Sequence, residues 1–430
     1  MNIYQEWGFT ESPFQTKALE ADEKGEALLV GRNSEIIKIQ RRLHNPPKIT
    51  SIEGANGIGK TSLINVAAYK CFKSFLESGN SPVIIPLNKN FQLNPSSFVE
   101  EFVNDVLMEV AQALIEHQSQ LKKITGNLDT RHLNSWLNSP QIHSYSASIS
   151  GLFGGGKINA INTSSGFSRS GFKKIVLDWL SELFPSHSSG GVLCVVDNLE
   201  LLMTSNKARE FVEQLRDEIL LSPGLRWVVC GALGVTYSVL SSPRIEGILH
   251  DPINIKKIDD ECIEELWKSR IEYYAVISEP YMPLTIDSFR LLYEILNGNT
   301  RSVLSYSDNY CTWVSDNDQP QTKEEKEEYF QEWLDFESSK IFSSVSSFLR
   351  PRAWSVFDKL IELGGETSPG SFAEFGFRSY PAMRPSIKDL EDCGLVTSLQ
   401  DDSDKRKKTI LVTPKARLVH YHKHISNTQE

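Results

Sequence analysis

The chain has 430 residues, with 45 Lys and Arg against 55 Asp and Glu, a formal net charge of −10. Its 40% apolar and 10% aromatic content suffices for ordinary cores, which excludes a disordered tail, a collagen-like repeat and a small disulfide scaffold. The acidic balance argues against nucleic acid coating the whole surface, and at roughly 150 residues per domain the length suits two or three domains.

Charge divides the chain. Residues 251–340 carry −11, residues 341–430 carry +2, and the first 250 residues are close to neutral. Three regions are expected: a core over 1–256, an acidic helical lid over 257–340 and a separate domain over 341–430. Six scattered cysteines without CxxC or zinc spacing fit reduced thiols. The N-terminus has no signal-peptide pattern, and no stretch approaches about 18 uncharged apolar residues. A cytoplasmic location without membrane contact is therefore expected.

In chain order, Ile49–Ile52 reads as a short strand. Residues 60–77 carry apolar side chains at helical spacing, with Gly79 as the stop. Val83–Leu87 is the next strand, and residues 97–120 read as a helix. Residues 121–170 interrupt the pattern: Tyr145, Ala147 and Ile149 alternate with serines ahead of Gly151-Leu-Phe-Gly-Gly-Gly-Lys157. A β-hairpin insertion is expected there, with an irregular loop as the alternative. A helix over 172–184 follows, then Val192–Val196, an all-apolar strand suited to burial on both faces. Helix 205–221 and strands Trp227–Val229 and Ile253–Ile255 complete a pattern of parallel strands covered by helices.

The motif that carries chemistry is Gly54-Ala-Asn-Gly-Ile-Gly59-Lys60-Thr61, set between a strand and a helix. In a GxxxxGK[ST] loop the glycines let backbone N–H groups turn inward around phosphates, and the helix N-terminus adds partial positive charge. Gly54, Asn56, Gly57, Ile58, Gly59, Lys60, Thr61 and Ser62 are the candidate nucleotide contacts. Lys60, expected to face solvent, supplies a point charge to the phosphates of ATP, and Thr61 a hydroxyl for Mg²⁺. Asp197 ends an apolar strand, where ligands of open α/β sheets bind, and is the second candidate for the Mg²⁺ site. Glu200 is a candidate for polarising the attacking water; a helix-cap role is the alternative.

Trp7-Gly-Phe9 with Pro13-Phe14, then Gly31-Arg32 with Glu35, then the phosphate loop, resemble the initiator branch of AAA+ ATPases, which includes origin-recognition proteins and related signal-transducing NTPases. The resemblance spans about residues 4–305. It implies that Arg32 lies near the adenine. It implies that Arg244, in Ser241-Ser-Pro-Arg244, reaches a neighbouring subunit's γ-phosphate, for which a guanidinium fork is suited; a plain surface arginine is the alternative. It implies that Arg301, in Gly298-Asn-Thr-Arg301, closes the lid on nucleotide; a helix-start arginine paired with the acidic lid is the alternative. Where that family has Asn, Ser or Thr at the end of the fourth strand, this chain has Cys230, and Asn198 follows Asp197 where many relatives have Glu. A slow ATPase, or a switch that mainly binds ATP, is expected.

Residues 349–425 read as a winged helix: a helix through Trp354–Ile361, a short one near Phe372–Phe375, a third through Arg384–Leu390, two strands around residues 401–408, and a last helix opened by Pro414. The segment from Leu390 to Ala416 is similar to MarR-type regulators. Arg378, Arg384, Lys388, Lys405, Arg406, Lys407 and Lys408 are candidates for contact with double-stranded DNA. The fold class is thus α/β: a P-loop NTPase core with a parallel sheet and helical lid, plus a winged helix. The leading expectation is a switch that oligomerises with ATP and acts on nucleic acid. The alternative is a signal-transducing ATPase of a prokaryotic defence or stress system, whose winged helix serves autoinhibition or docks a protein partner or separate effector.

Overall fold

The computed structural model describes residues 2–45, 48–79, 82–93, 98–125, 171–198, 206–232, 244–400 and 408–428. After α1 (Ile3–Glu6), α2 (Glu23–Leu28) and α3 (Asn33–Leu43), the chain builds a parallel sheet. Its strands are β1 (Thr50–Gly54), β2 (Val83–Ile85), β3 (Phe91–Gln92), β4 (Gly190–Asp197), β5 (Leu225–Gly231) and β6 (Ile253–Ile255). They lie in the order β2-β4-β5-β1-β6, with β3 beside the carboxyl end of β4. The accompanying helices are α4 (Lys60–Ser78), α5 (Val99–Glu116), α6 (Gln118–Thr125), α7 (Phe172–Leu183) and α8 (Asn206–Leu215).

Both faces of the sheet are buried, and side-chain alternation explains why its central strands are apolar throughout. In β4, Val192, Cys194 and Val196 enter the core shared with α5, α7 and α8. Leu193 and Val195 enter the opposite core, shared with α3 and much of α4. β5 divides likewise, Trp227 and Val229 to one side and Val228 and Cys230 to the other. The expected strand and helix positions recur with small changes of length; the additions are α1, α2 and α3 ahead of the sheet, the short β3 and the break at His117 that divides α5 from α6. The hairpin insertion expected at about 121–170 lies outside the described residues beyond α6.

The lid consists of α9 (Ile263–Tyr274), α10 (Ile286–Ile295), α11 (Thr300–Ser315) and α12 (Lys323–Ser346). Its core holds Tyr4, Trp7, Phe9 and Phe14 from the N-terminal segment. Sequence order groups this segment with the sheet domain; packing groups it with the lid. So short a stretch cannot enclose its own aromatic rings, and the lid helices supply the apolar surface. Thr10 N–H donates to the Tyr274 carbonyl (2.8 Å) and Val276 N–H to Gly8 (2.9 Å). The hydroxyls of Tyr4 and Ser12 both donate to Asp308 of α11, at 2.6 and 2.5 Å. Burial, with Cys311 and Asp308 nearby, pushes the Tyr4 phenol far up, so it remains a donor at any ordinary pH.

The C-terminal unit is α13 (Pro351–Glu362), β7 (Glu366–Thr367), a 3₁₀ turn at Pro369–Phe375, α14 (Tyr380–Asp392), β8 (Val396–Gln400), β9 (Lys408–Val412) and α15 (Pro414–Thr428). The antiparallel sheet β7-β9-β8 completes a winged helix, with the expected short second helix present as the 3₁₀ turn. The boundary expected near residue 340 falls inside α12. That helix buries Phe330, Trp333 and Leu334 in the lid and Val345 in the winged helix. α15 bridges the two units as well, sending Leu418 to the lid core and Ala416 and Val419 to its own. Gln331 Nε2 of α12 donates to the Tyr421 hydroxyl at 2.7 Å.

Candidate functional site

The loop between β1 and α4 turns through left-handed backbone at Gly57 (φ 82°) and Gly59 (φ 97°), a region that a side chain strains. A Cβ at Gly57 would also come within 2.5 Å of Asn299 Oδ1. This contact shows how the lid meets the loop. Asn299 Nδ2 donates to the Asn56 carbonyl (2.8 Å), and the Arg301 N–H donates to the Gly57 carbonyl (3.0 Å). Asn299 Oδ1 caps α11 by accepting from Ser302 N–H at 3.1 Å.

Lys60 is 8% exposed, not solvent-facing as the sequence suggested. Its ammonium folds back over the loop and donates to the carbonyls of Gly54 (2.9 Å) and Ala55 (3.3 Å). An ammonium needs acceptors when it leaves water, and these carbonyls are the nearest. The Thr61 hydroxyl donates to Asp197 Oδ2 at 2.8 Å, while Asp197 Oδ1 accepts from the Asn198 amide. Thr61 and Asp197 therefore bring two hard oxygen ligands together. That donor set fits Mg²⁺, which takes one or two protein ligands and completes its shell with water and phosphate oxygens.

One cavity gathers these groups. It is lined by Asn56 through Ser62, Asp197, Asn198, Arg32 and Arg301. Arg32 is 3% exposed and braces the loop: Nη2 donates to the Ile58 carbonyl (3.2 Å) and Nη1 pairs with Glu35 (3.4 Å). Gly54 lies behind the loop and does not line the cavity. Sequence reasoning missed the opposite wall, made by Thr16–Leu19, Leu28–Val30, Ile258, Leu266, Arg270 and Leu304. Ser62 fastens part of it, its hydroxyl accepting from Leu19 N–H at 3.0 Å, and Asn65 Nδ2 donates to the Leu19 carbonyl at 2.8 Å. No local pattern marks these residues, since they converge from distant parts of the chain.

Arg244 stands apart from the cavity, half exposed, with Nη2 2.6 Å from Asp217 and Nη1 3.7 Å from Glu213. Glu200 lies outside the described residues. The carboxyl end of β5 presents Cys230, Gly231 and Ala232, all buried and none with an amide or hydroxyl side chain. On the winged helix, Arg384 and Lys388 are exposed one turn apart on α14, with Arg378 exposed just before it. Arg350 holds Asp389 of the same helix in a two-pronged pair at 2.7 and 2.9 Å. Lys405, Arg406 and Lys407 lie outside the described residues, and Lys408 opens β9. Among the described residues no helix is long and apolar enough to cross a membrane.

No family model matches the sequence, and no curated protein matches it. Solved structures resemble the chain over more than nine-tenths of its length. The Walker-type ATPase of Pyrococcus abyssi is 14% identical over 95% of this chain and 99% of its own, with a TM-score of 0.49. The Aeropyrum pernix ORC2 protein, solved as ADPNP–ADP complexes, is 11% identical over 97% and 98%, TM-score 0.48. The Aeropyrum pernix ORC1 protein in complex with DNA is 13% identical over 93% and 94%, TM-score 0.42.

Asn299→Asp separates the two tasks of Asn299. The carboxylate still caps α11, but the donor to Asn56 is gone. With a hydrogen bond worth about 0.5–1.5 kcal/mol, the Arg301 amide should exchange its hydrogen roughly two- to tenfold faster while Ser302 stays protected. Equal acceleration at both amides in a hydrogen-exchange measurement would mean that the cap, and not the lid contact, was lost.

Proposed function

We propose that this chain is a nucleotide-driven switch of the AAA+ kind, which binds ATP with Mg²⁺, hydrolyses it slowly and acts on double-stranded DNA through its winged helix. The observation that carries this reading is the cavity itself. Loop, acid strand and lid arginine converge on it, and the same lid continues through α12 into the winged helix. Lys60 and the loop amides would hold the phosphates, Thr61 and Asp197 the metal ion, and Arg301 the lid side of the ligand. Mg²⁺ would neutralise the phosphate charge. Slow turnover is inferred from the described end of β5, where Cys230, Gly231 and Ala232 offer no amide or hydroxyl side chain to an attacking water.

A second reading has its own observation. The winged helix faces the outer side of the loop across a cavity of about 480 Å³, lined by Asn56, Gly365, Thr413 and Arg417 among others. A winged helix so placed suits autoinhibition, or docking of a protein partner or separate effector, in a signal-transducing ATPase of a defence or stress system.

Lys60→Ala should weaken ATP binding about tenfold to a hundredfold, the worth of charge-assisted contacts, in a titration of the folded variant. Unchanged affinity would remove the phosphate-loop assignment.

Glu200 is assigned to water activation and Arg244 to a neighbouring copy's phosphates, for which it must leave Asp217. Turnover measured against protein concentration checks both. Glu200→Gln should bind ATP without turning it over, and Arg244→Ala should lose only the part that rises with concentration. Equal loss in Arg244→Ala at all concentrations would mean that it does not act on a neighbour.

For DNA, replacing Arg384 and Lys388 together with alanine should lower affinity and shallow the log–log salt dependence by about two units, one per phosphate contact. Duplex binding with an unaltered slope would place the contact elsewhere. No binding by the wild type, with ATP at low salt, would favour the second reading.

A further inference from the structure

Arg270 lies on α9 one turn beyond Leu266, and both line the cavity. This side of the cavity is built by the N-terminal segment and α9, whereas the lid meets the phosphate loop through the start of α11. The walls here are Leu28, Val30, Ile258, Leu266 and Leu304, which suit a flat apolar ring better than a phosphate. Yet they enclose a cation. Arg270 is 5% exposed, and burial pushes its guanidinium down to about 10, so it remains charged at neutral pH.

Its donors are only partly used. Nη1 donates to the Pro13 carbonyl at 3.1 Å, and Nε is enclosed without an acceptor. Among the described residues no carboxylate forms an ion pair with it. A buried guanidinium with idle N–H groups is costly. The enclosed Nε is out of a ligand's reach, whereas Nη2 has no acceptor among the described residues and is not enclosed, so it is the donor that an arriving acceptor relieves. Arg32, the cation that the resemblance associates with the base, is already engaged by Ile58 and Glu35.

We propose that Arg270 reads the base of bound ATP, its guanidinium donating to a ring nitrogen on the adenine edge. This rests on the nucleotide reading above and adds to it a residue that determines which base is accepted. Bases lacking an acceptor at that point would leave the buried donor unpaired, which is the strongest form of discrimination available to a hydrogen-bonding site. The same side chain would carry the presence of the base to the N-terminal segment, through Pro13.

The test is a binding titration of the wild-type chain and Arg270→Met with ATP, its 1-deaza, 3-deaza and 7-deaza analogues, and inorganic tripolyphosphate. One deaza analogue should bind the wild type about tenfold to a hundredfold more weakly than ATP does. That difference should vanish in Arg270→Met, with tripolyphosphate bound equally by both proteins. Arg270→Gln, which keeps a donor for Pro13, should behave as the methionine variant does and serves if the latter does not fold. The proposal is overturned if all three analogues bind the wild type as ATP does, or if the weakened analogue is weakened equally in the variants. Wild type that binds no ATP overturns the nucleotide reading and this inference with it, whereas ATP binding without a deaza effect overturns this inference alone.

Discussion

Two hydrogen bonds hold the lid on the phosphate loop: Asn299 Nδ2 to the Asn56 carbonyl and the Arg301 amide to the Gly57 carbonyl. They depend on an absent atom, the Cβ that Gly57 lacks, since any side chain there would meet Asn299. The glycine thus meets a demand on each side of the loop. Inward, it frees the backbone to turn its amides toward an anion. Outward, it lets the first turn of α11 approach closely enough to satisfy carbonyls that would otherwise lack partners. With Lys60 occupying the carbonyls of Gly54 and Ala55, the loop's outward-facing acceptors are engaged by the protein itself. A ligand that rearranges the loop must therefore alter the hold on the lid.

The N-terminal segment widens that dependence. Leu19 is tied to α4 through Ser62 and Asn65, Pro13 to α9 through Arg270, and Tyr4 and Ser12 to α11 through Asp308. One short stretch is stitched to both sides of the cavity and buries its aromatic rings in only one of them, the lid. Movement of the lid would strain the Leu19 end or carry it along. From the lid, α12 and α15 continue apolar contact into the winged helix, so the path from loop to C-terminal unit is one of packed side chains and not of a flexible linker. Whether it transmits anything is decided by a ligand's differential affinity for two arrangements.

Charge is distributed in keeping with this division. Exposed pairs such as Lys268–Glu264 and Lys323–Asp287 use some of the lid's acid, each worth little in stability. The excess negative charge remains on the lid. The exposed cations Arg378, Arg384 and Lys388 belong to the winged helix, which meets the lid through α12 and α15; these contacts leave the three cations exposed. These three cations place positive charge on their face of the winged helix, in contrast to the acidic lid.

The sequence by itself determined what is local. Apolar runs marked β4 and β5 because strands buried on both faces have little polar side to show. Gly79 marked the end of α4, where the backbone takes φ 67°. The spacing of glycines, Lys60 and Thr61 marked the loop because phosphate binding needs those residue types consecutively. Tertiary structure decided what depends on distant partners. Lys60 could be known as a loop cation, but its burial came from carbonyls that only the folded turn presents. Asn299 lies 243 residues from Asn56, and Arg270 lies 257 from Pro13. No periodicity records such pairings, since each residue alone is an ordinary helix cap or helix arginine. The core of the N-terminal aromatics was equally invisible: their hydrophobicity demanded burial, but only the fold could say that the lid, and not the adjacent sheet, would provide it.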